Sequence, residues 1–467
     1  MKPALMLLLA LTAVAPTHAQ PLPKELPPFG PDKPLPAPKI ERQTLPNGLQ
    51  VWVLPRQGLP RVDLVLAVKG AGYTADPADR PGLASLLAGL MTEGTKQRDA
   101  KALAEAVQAL GGAIGADAGN DGLVLSANAL ASRGEALVKL FAEVARQPAF
   151  ADNEVKLARD NALQALKAAA AQPGFLADGA LAKAVYGSHP YGRTQATEAS
   201  ITGTTAEALR AEHARRFRPD QAVLVIAGRV AAKDAQAWAA AAFGDWKADG
   251  AAPPATPAVA AQTPPQRLLI HRAGSTQSTL RLGRPGLPVS AADDVALRVA
   301  SAVIGSGFTS RINLNLREEK GYTYGAGAGG RSHAFGGGIF GGADVRNEVT
   351  GASLKEFVAE YRRLGTEPVP AAELTVAKRY LAGTYVLGVQ QQGALAQRLA
   401  RDWMVGLPAS RLAEFVPAVH KVSAEQVREI GRRYFAPEAQ SIVVVGDQAA
   451  IAEQLKPYGE FVAPAGR

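Results

Sequence analysis

The 467-residue chain contains no cysteine. That excludes disulfides, thiolate zinc sites and a cysteine nucleophile. Histidine is scarce, with six residues, none of them within one helical turn of another. A pair of imidazoles on one helix face, the usual donor set of a catalytic zinc, is therefore not written into this chain. No G-x-S-x-G occurs. Beyond the first few residues no apolar run reaches the ~18 residues that read as a membrane-spanning helix. The 51 Lys and Arg outnumber the 42 Asp and Glu, for a formal charge of +9, but they are scattered. With few aromatics between them they read as a solvated surface rather than a nucleic-acid face.

What is present is apolar bulk: 47% of the chain is hydrophobic, enough for a large core. The length predicts about two to four domains. Residues 1–19 have the form of a secretory signal, with Lys2, the apolar run Ala4–Val14 and Thr17-His18-Ala19 as a cleavage site. The expected mature chain starts near Gln20 and is exported, periplasmic or secreted, without a membrane span. No cysteine follows, so lipid anchoring there is excluded. Residues 20–39 are proline-rich and read as an extended arm.

From residue 40 onward, strands and amphipathic helices mix without βαβ alternation, which predicts an α+β fold. Arg215-Arg216-Phe217-Arg218-Pro219 followed by the apolar Ala222–Gly228 is a helix end, a turn and a strand. Arg433-Tyr434-Phe435-Ala436-Pro437 followed by Gln440–Gly446 is the same device 218 residues later. The chain therefore divides into two like units, 40–248 and 266–461. The Pro/Ala-rich stretch 249–265 reads as a flexible interdomain linker. Two like halves so joined predict a cleft between them. The region Ala371–Val405 is expected to be helical and broken by its glycines.

Leu316 to Gly330 reads L-R-E-E-K-G-Y-T-Y-G-A-G-A-G-G. Arg317 falls near the end of an expected helix, Gly321 permits a sharp exit, and Tyr322–Tyr324 reads as a strand. An arginine and a tyrosine brought together there offer two hydrogen-bond donors, suited to a carbonyl oxygen gathering negative charge in acyl transfer. Taken alone, packing or surface roles account for such a pair more simply. Gly325 to Gly330 fits G-x-G-x-x-G, but no helix follows, so a dinucleotide site is rejected. The glycine-rich run to Ala343 is consistent with a cleft lining or with tight strand packing.

On these residues the chain resembles the M16 metallopeptidases, relatives of pitrilysin, insulin-degrading enzyme and mitochondrial processing peptidase, over about residues 40–460. The resemblance implies two homologous α/β-sandwich domains arranged as a clam-shell with a central cleft. Active members carry H-x-x-E-H in a helix of the first domain and a further glutamate about 75 residues on. The matching stretch here runs from Gly82-Leu83-Ala84 to Glu93-Gly94-Thr95. Ser85, Ala88 and Gly89 stand where the first histidine, the glutamate and the second histidine belong, and Gln164 or Ala165 where the later glutamate belongs. Glu93 and Asp99 read as surface or capping residues, and His189, in a family loop, as structural. No metal or other cofactor is expected in this chain.

The second-domain signature is kept: Ser310-Arg311-Ile312, Leu316-Arg317-Glu318-Glu319-Lys320-Gly321 and Tyr324. By resemblance the functional pair is Arg317 and Tyr324, with Arg311 and Tyr322 as the pair a small alignment shift would select. A lost zinc motif beside a kept Arg/Tyr motif implies the non-zinc half of a heterodimeric peptidase. The partner would be an exported homologue carrying H-x-x-E-H and the zinc, and the substrate an extended peptide. The alternative is a catalytically inactive scaffold or peptide-binding protein of the same fold.

Overall fold

A computed structural model describes residues 35–193 and 195–464. The signal-like segment 1–19 and residues 20–34 of the arm lie outside the described residues.

The first sheet contains β1 (Glu41–Thr44), β2 (Gln50–Pro55), β3 (Arg61–Lys69), β4 (Ala113–Ala118), β5 (Gly122–Leu130) and β6 (Ala222–Gly228), in the order β1-β2-β6-β3-β5-β4. The second contains β7 (Arg267–His271), β8 (Gln277–Gly286), β9 (Ala326–His333), β10 (Gly336–Arg346) and β11 (Ser441–Gly446), in the order β7-β11-β8-β10-β9. Apart from the extra edge strand β1, the two orders are the same. In each sheet one pair is parallel, β2 with β6 and β7 with β11, and the other neighbours are antiparallel. The repeat expected from the sequence is thus a repeat of topology. Strands β6 (AVLVIAG) and β11 (SIVVVG) are buried along their whole length. Covered on both faces, they read as unbroken apolar runs rather than alternations.

The helices repeat as well. Ala206–Arg216 and Ala424–Tyr434 begin at Thr205 and Ser423, whose hydroxyls accept from the amides of Ala208 and Gln426. Both satisfy an amide the first turn leaves without a partner. Asp99 likewise caps Ala100–Ala109.

The halves exchange helices. Pro173–Tyr186, from the first half, lies on β8 and β11, and Gln392–Met404, from the second, lies on β3 and β6. One core cluster consequently mixes Trp52, Val65 and Val225 with Leu280, Leu395 and Leu399, and the described chain forms one compact unit. Without the exchange, one apolar face of each sheet would meet water. What remains of the central cleft is a cavity of about 790 Å³ lined from both halves.

Three local expectations are corrected. The stretch 249–265 has no regular secondary structure but is fastened down. Arg218 Nη1 donates to the Gly250 carbonyl (2.7 Å), His189 Nε2 meets that of Pro257 (2.9 Å), and the Val259 amide donates to Phe335 (2.7 Å). Its prolines exclude helix, yet these polar groups find partners on the flanking halves. Tyr322–Tyr324 is not a strand; β9 begins at Ala326. The Thr323 hydroxyl accepts from the Gly325 amide (3.2 Å) and donates to the Asp344 carbonyl (2.8 Å), so a side chain supplies the bonds a ladder would have made. The helix ending at Arg317 is wound wide, as a π-helical stretch over Leu314–Glu319. The region 371–405 breaks as expected, into Ala371–Gly388 and Gln392–Met404.

Candidate active site and its missing metal ligands

The degenerate motif lies on the helix Leu83–Leu90. Its start is held by Asp76, whose carboxylate accepts from the amides of Gly82 (3.0 Å) and Ala84 (3.0 Å). Ser85 and Gly89, one turn apart, are both exposed on one face, while Ala88 is buried. This is the spacing two metal-binding imidazoles need, with the imidazoles gone. The Ser85 hydroxyl sits 3.0 Å from that of Tyr73. Gln164 and Ala165 lie on the helix Asp152–Ala170, which packs against Leu83–Leu90. A hydroxyl, a methyl, a hydrogen and an amide do not make a zinc donor set. Among the described residues no group of three His, Asp or Glu is placed to hold a metal ion.

His189 has both ring nitrogens engaged: Nδ1 accepts from the Tyr191 amide (3.1 Å) and Nε2 faces the Pro257 carbonyl (2.9 Å). Burial lowers its pKa. It tethers a turn and the segment 249–265.

The structure separates the two candidate pairs in the second half by exposure. Arg311 is buried and clamped by Glu373, with Nε at 2.6 Å from Oε1 and Nη2 at 2.8 Å from Oε2. Tyr322 is half-buried against the core. Arg317 is half-exposed, 3.1 Å from the Glu318 carboxylate and stacked over Phe308 (4.9 Å to the ring centre). Tyr324 is 93% exposed and its hydroxyl has no hydrogen-bond partner among the described residues. Two features present Arg317 and Tyr324. The π-helical stretch ends in Gly321 at φ +62°, and the Thr323 hydroxyl pins the loop to β10. No hydrogen bond or cation–ring contact joins Arg317 to Tyr324 among the described residues.

Between these elements runs the cavity. Tyr73, the partner of Ser85, lines it from the first half, and Gly325, next to Tyr324, lines it from the second. The turn between β9 and β10 is locked across the seam. Asn120 Nδ2 meets His333 Nε2 (3.2 Å), the Asp121 carboxylate accepts from the Ala334 amide (3.1 Å), and Tyr191, hydrogen-bonded to Asp121, accepts from the Phe335 amide (3.1 Å). Burial raises the pKa of Tyr191 and Tyr186 and lowers that of His333. The lining residues Asp178, Arg281, Arg331 and Asp344 were not singled out in the sequence. Asp178, Arg281 and the Arg331–Asp344 stretch lie far apart along the chain, and the glycine-rich run beside Arg331 and Asp344 was the one signal near them.

Two family models match the chain: "Insulinase (Peptidase family M16)" over residues 57–198 and "Peptidase M16 inactive domain" over 204–381. The chain belongs to the M16 peptidase family. The boundary between the M16 models precedes β6, although β6 sits in the middle of the first sheet. The chain is 27% identical over 432 residues to an uncharacterized zinc protease of Mycobacterium tuberculosis, covering 89% of this chain and 95% of that one. It is 23% identical over 408 residues to an uncharacterized zinc protease of Bacillus subtilis, covering 85% and 96%. The crystal structure of a peptidase M16 inactive domain from Pseudomonas fluorescens superposes with a TM-score of 0.81 at 26% identity, covering 87% of this chain and 98% of that one. A protease from Helicobacter pylori shares the fold, with a TM-score of 0.82 at 20% identity, covering 88% and 100%.

Proposed function

We propose that this chain is the non-zinc subunit of a heterodimeric, exported M16 peptidase. Its partner is a homologous subunit carrying H-x-x-E-H and the zinc. The observation that carries this reading is the contrast at the two motif positions. Ser85, Ala88 and Gly89 cannot hold a metal, whereas Tyr324 is presented to solvent with a free hydroxyl and Arg317 stands half-exposed on the preceding turn. A scaffold relic has no need of an exposed tyrosine. In the composite site Tyr324 donates a hydrogen bond to the scissile carbonyl oxygen as it becomes an oxyanion. Arg317 positions the peptide or stabilises that charge. Export rests on the signal-like residues 1–19.

The test is to purify the tagged protein from its native envelope fraction, identify co-purifying chains by mass spectrometry and quantify zinc. A stoichiometric H-x-x-E-H homologue with one zinc per pair is the expected result. In that complex Tyr324→Phe should lower kcat about 10²–10³-fold with assembly intact, as loss of one oxyanion donor does. Normal turnover in this variant defeats the assignment. A zinc-free protein without such a partner supports the second reading, a non-catalytic peptide-binding M16 protein. The seam cavity, which this chain builds without help, favours that alternative.

A further inference from the structure

The cavity face formed by β8, β9 and β10 is floored by glycine and charged at both ends. Along β10 the side chains alternate: Ile339, Ala343 and Val345 enter the core, so Gly338, Phe340, Gly342 and Asp344 take the opposite face. Register places Arg331 beside Gly338, Gly329 beside Phe340, and Gly327 and Arg281 on either side of Gly342. The helix Pro173–Tyr186 covers this face over β7, β8 and β11, and its Tyr186 reaches Phe340 on β10. Beyond it the strands carry Gly327, Gly329 and Gly342, where a Cβ would come 3.1 Å from the Gly305 carbonyl oxygen, 3.0 Å from the Ser301 side chain and 2.9 Å from the Arg281 side chain. Glycine there lets these neighbours lie close against the strands, and the cavity opens above them.

The two ends carry opposite charge. Arg331 stacks over Phe340 (5.7 Å) and has no carboxylate within ion-pair distance among the described residues. Tyr186, which also lines the cavity and packs on Phe340, has no hydrogen-bond partner for its hydroxyl among the described residues. At the other end Arg281 lies between two largely exposed carboxylates, Asp178 (2.7 Å) and Asp344 (3.5 Å), which leaves that cluster one negative charge in excess. From Gly338, beside Arg331, to Gly342 and Asp344 is four to six residues of strand, roughly 13–20 Å at about 3.3 Å each. That is the length of an extended peptide of about four to six residues, and the cavity volume of about 790 Å³ lies within the range of small-ligand sites.

We propose that this cavity binds short extended peptides with both termini free, the terminal carboxylate on Arg331 and the amino group at the Asp178–Arg281–Asp344 cluster. The guanidinium takes the carboxylate through two parallel N–H donors, with the Tyr186 hydroxyl as a third. The site belongs to this chain alone and does not depend on a zinc partner.

The experiment is calorimetric titration of the full chain with penta-alanine, its C-terminal amide and its N-acetyl form. Penta-alanine should bind saturably. Each blocked form should bind at least about tenfold more weakly, the loss of one charge-assisted contact. Arg331→Gln should abolish the preference for acid over amide while leaving the response to N-acetylation. Asp344→Asn should weaken the response to N-acetylation. The titrations use this chain alone, without a zinc subunit, so their outcome is separate from the proposed catalytic role. Equal binding of acid and amide, an acid preference that survives Arg331→Gln, or no binding of penta-alanine at millimolar concentration overturns the proposal. So does equal affinity for an amidated peptide ending in glutamate, which would show that a side-chain carboxylate serves as well as the terminus.

Discussion

The helices Ala206–Arg216 and Ala424–Tyr434 hold the same place in the two halves. Each starts at a hydroxyl cap and ends beside a buried phenylalanine, Phe217 or Phe435. Their buried contents differ. The first carries His213, its Nε2 against the Ala145 carbonyl (2.9 Å) and its ring stacked on Phe217. One turn on it carries Arg216, whose fully buried guanidinium meets Asp76 (2.9 Å) and Glu212 (2.7 Å). At the same positions the second helix has Gly431 and Tyr434. Gly431 lies where a Cβ would come 2.5 Å from the Leu364 carbonyl oxygen, so that helix packs backbone to backbone. One topology is thus held together by a polar network in one half and by close approach in the other. A fold specifies which positions are interior, not which chemistry fills them.

The largest break in this symmetry should follow Arg216→Met. It leaves the buried Asp76 carboxylate without its cation, and burial already pushes that carboxyl's pKa up. A loss of about 3–5 kcal/mol is expected in chemical denaturation. Tyr434→Phe, at the matching position, removes only a partly exposed hydroxyl bonded to Arg433 (3.0 Å) and should stay within about 0.5 kcal/mol.

Acid should also act on the first half through His213. Burial lowers its pKa to about 4 in the folded chain, against about 6.5 unfolded. Between those values the unfolded chain binds the proton and the folded chain does not. Stability therefore falls as pH drops from about 6.5 towards 4, by up to about 3 kcal/mol. Hydrogen exchange along a pH series should show this loss in the first half, and His213→Gln should flatten it. A slope unchanged in that variant would remove His213 as the cause.

Gly431→Ala sharpens the comparison from the other side. The added methyl meets backbone atoms of Leu364 and Gly365, which can move only by parting two helices. The expected loss is about 1–3 kcal/mol, read as a lower denaturation midpoint.

The smallest contrast concerns the exchanged helices. Asp63 on β3 is buried at the start of Gln392–Met404, where it accepts from Gln392 Nε2 (2.6 Å) and pairs with Arg61 (2.5 Å). A carboxylate at a helix N-terminus is favourably placed. Arg281 on β8 lies at the start of Pro173–Tyr186, where a cation is not, and relies on Asp178, which is largely exposed. Asp63→Ala should cost about 1–3 kcal/mol and Arg281→Ala less than about 1 kcal/mol. Equal effects would show that the two seams are energetically alike.

Much of the architecture was legible because it is local. Apolar runs at Ala222–Gly228 and Ser441–Gly446, the cap at Asp99, and the recurrence of the arginine-rich helix end predicted elements and their repeat. The helix exchange was not legible. Pro173–Tyr186 and Gln392–Met404 are amphipathic whichever sheet they cover, and periodicity names a buried face without naming its partner. The fastening of 249–265 was hidden for the same reason, since its partners lie outside the segment. Arg216 read like any member of an arginine pair, because burial of a charge depends on carboxylates that arrive from elsewhere.

By itself the sequence determined that this chain cannot make the M16 zinc site. Metal binding needs particular donor atoms, and serine, alanine and glycine at positions 85, 88 and 89 lack them in any conformation. Tertiary structure alone decided which arginine and tyrosine are available. Arg311 is consumed by Glu373, 62 residues away, and Tyr322 by the core, while Arg317 and Tyr324 remain open. It alone brought Asp178, Arg281 and Arg331 around one glycine floor. Availability and juxtaposition depend on what the rest of the chain folds against a residue, and no local pattern encodes that.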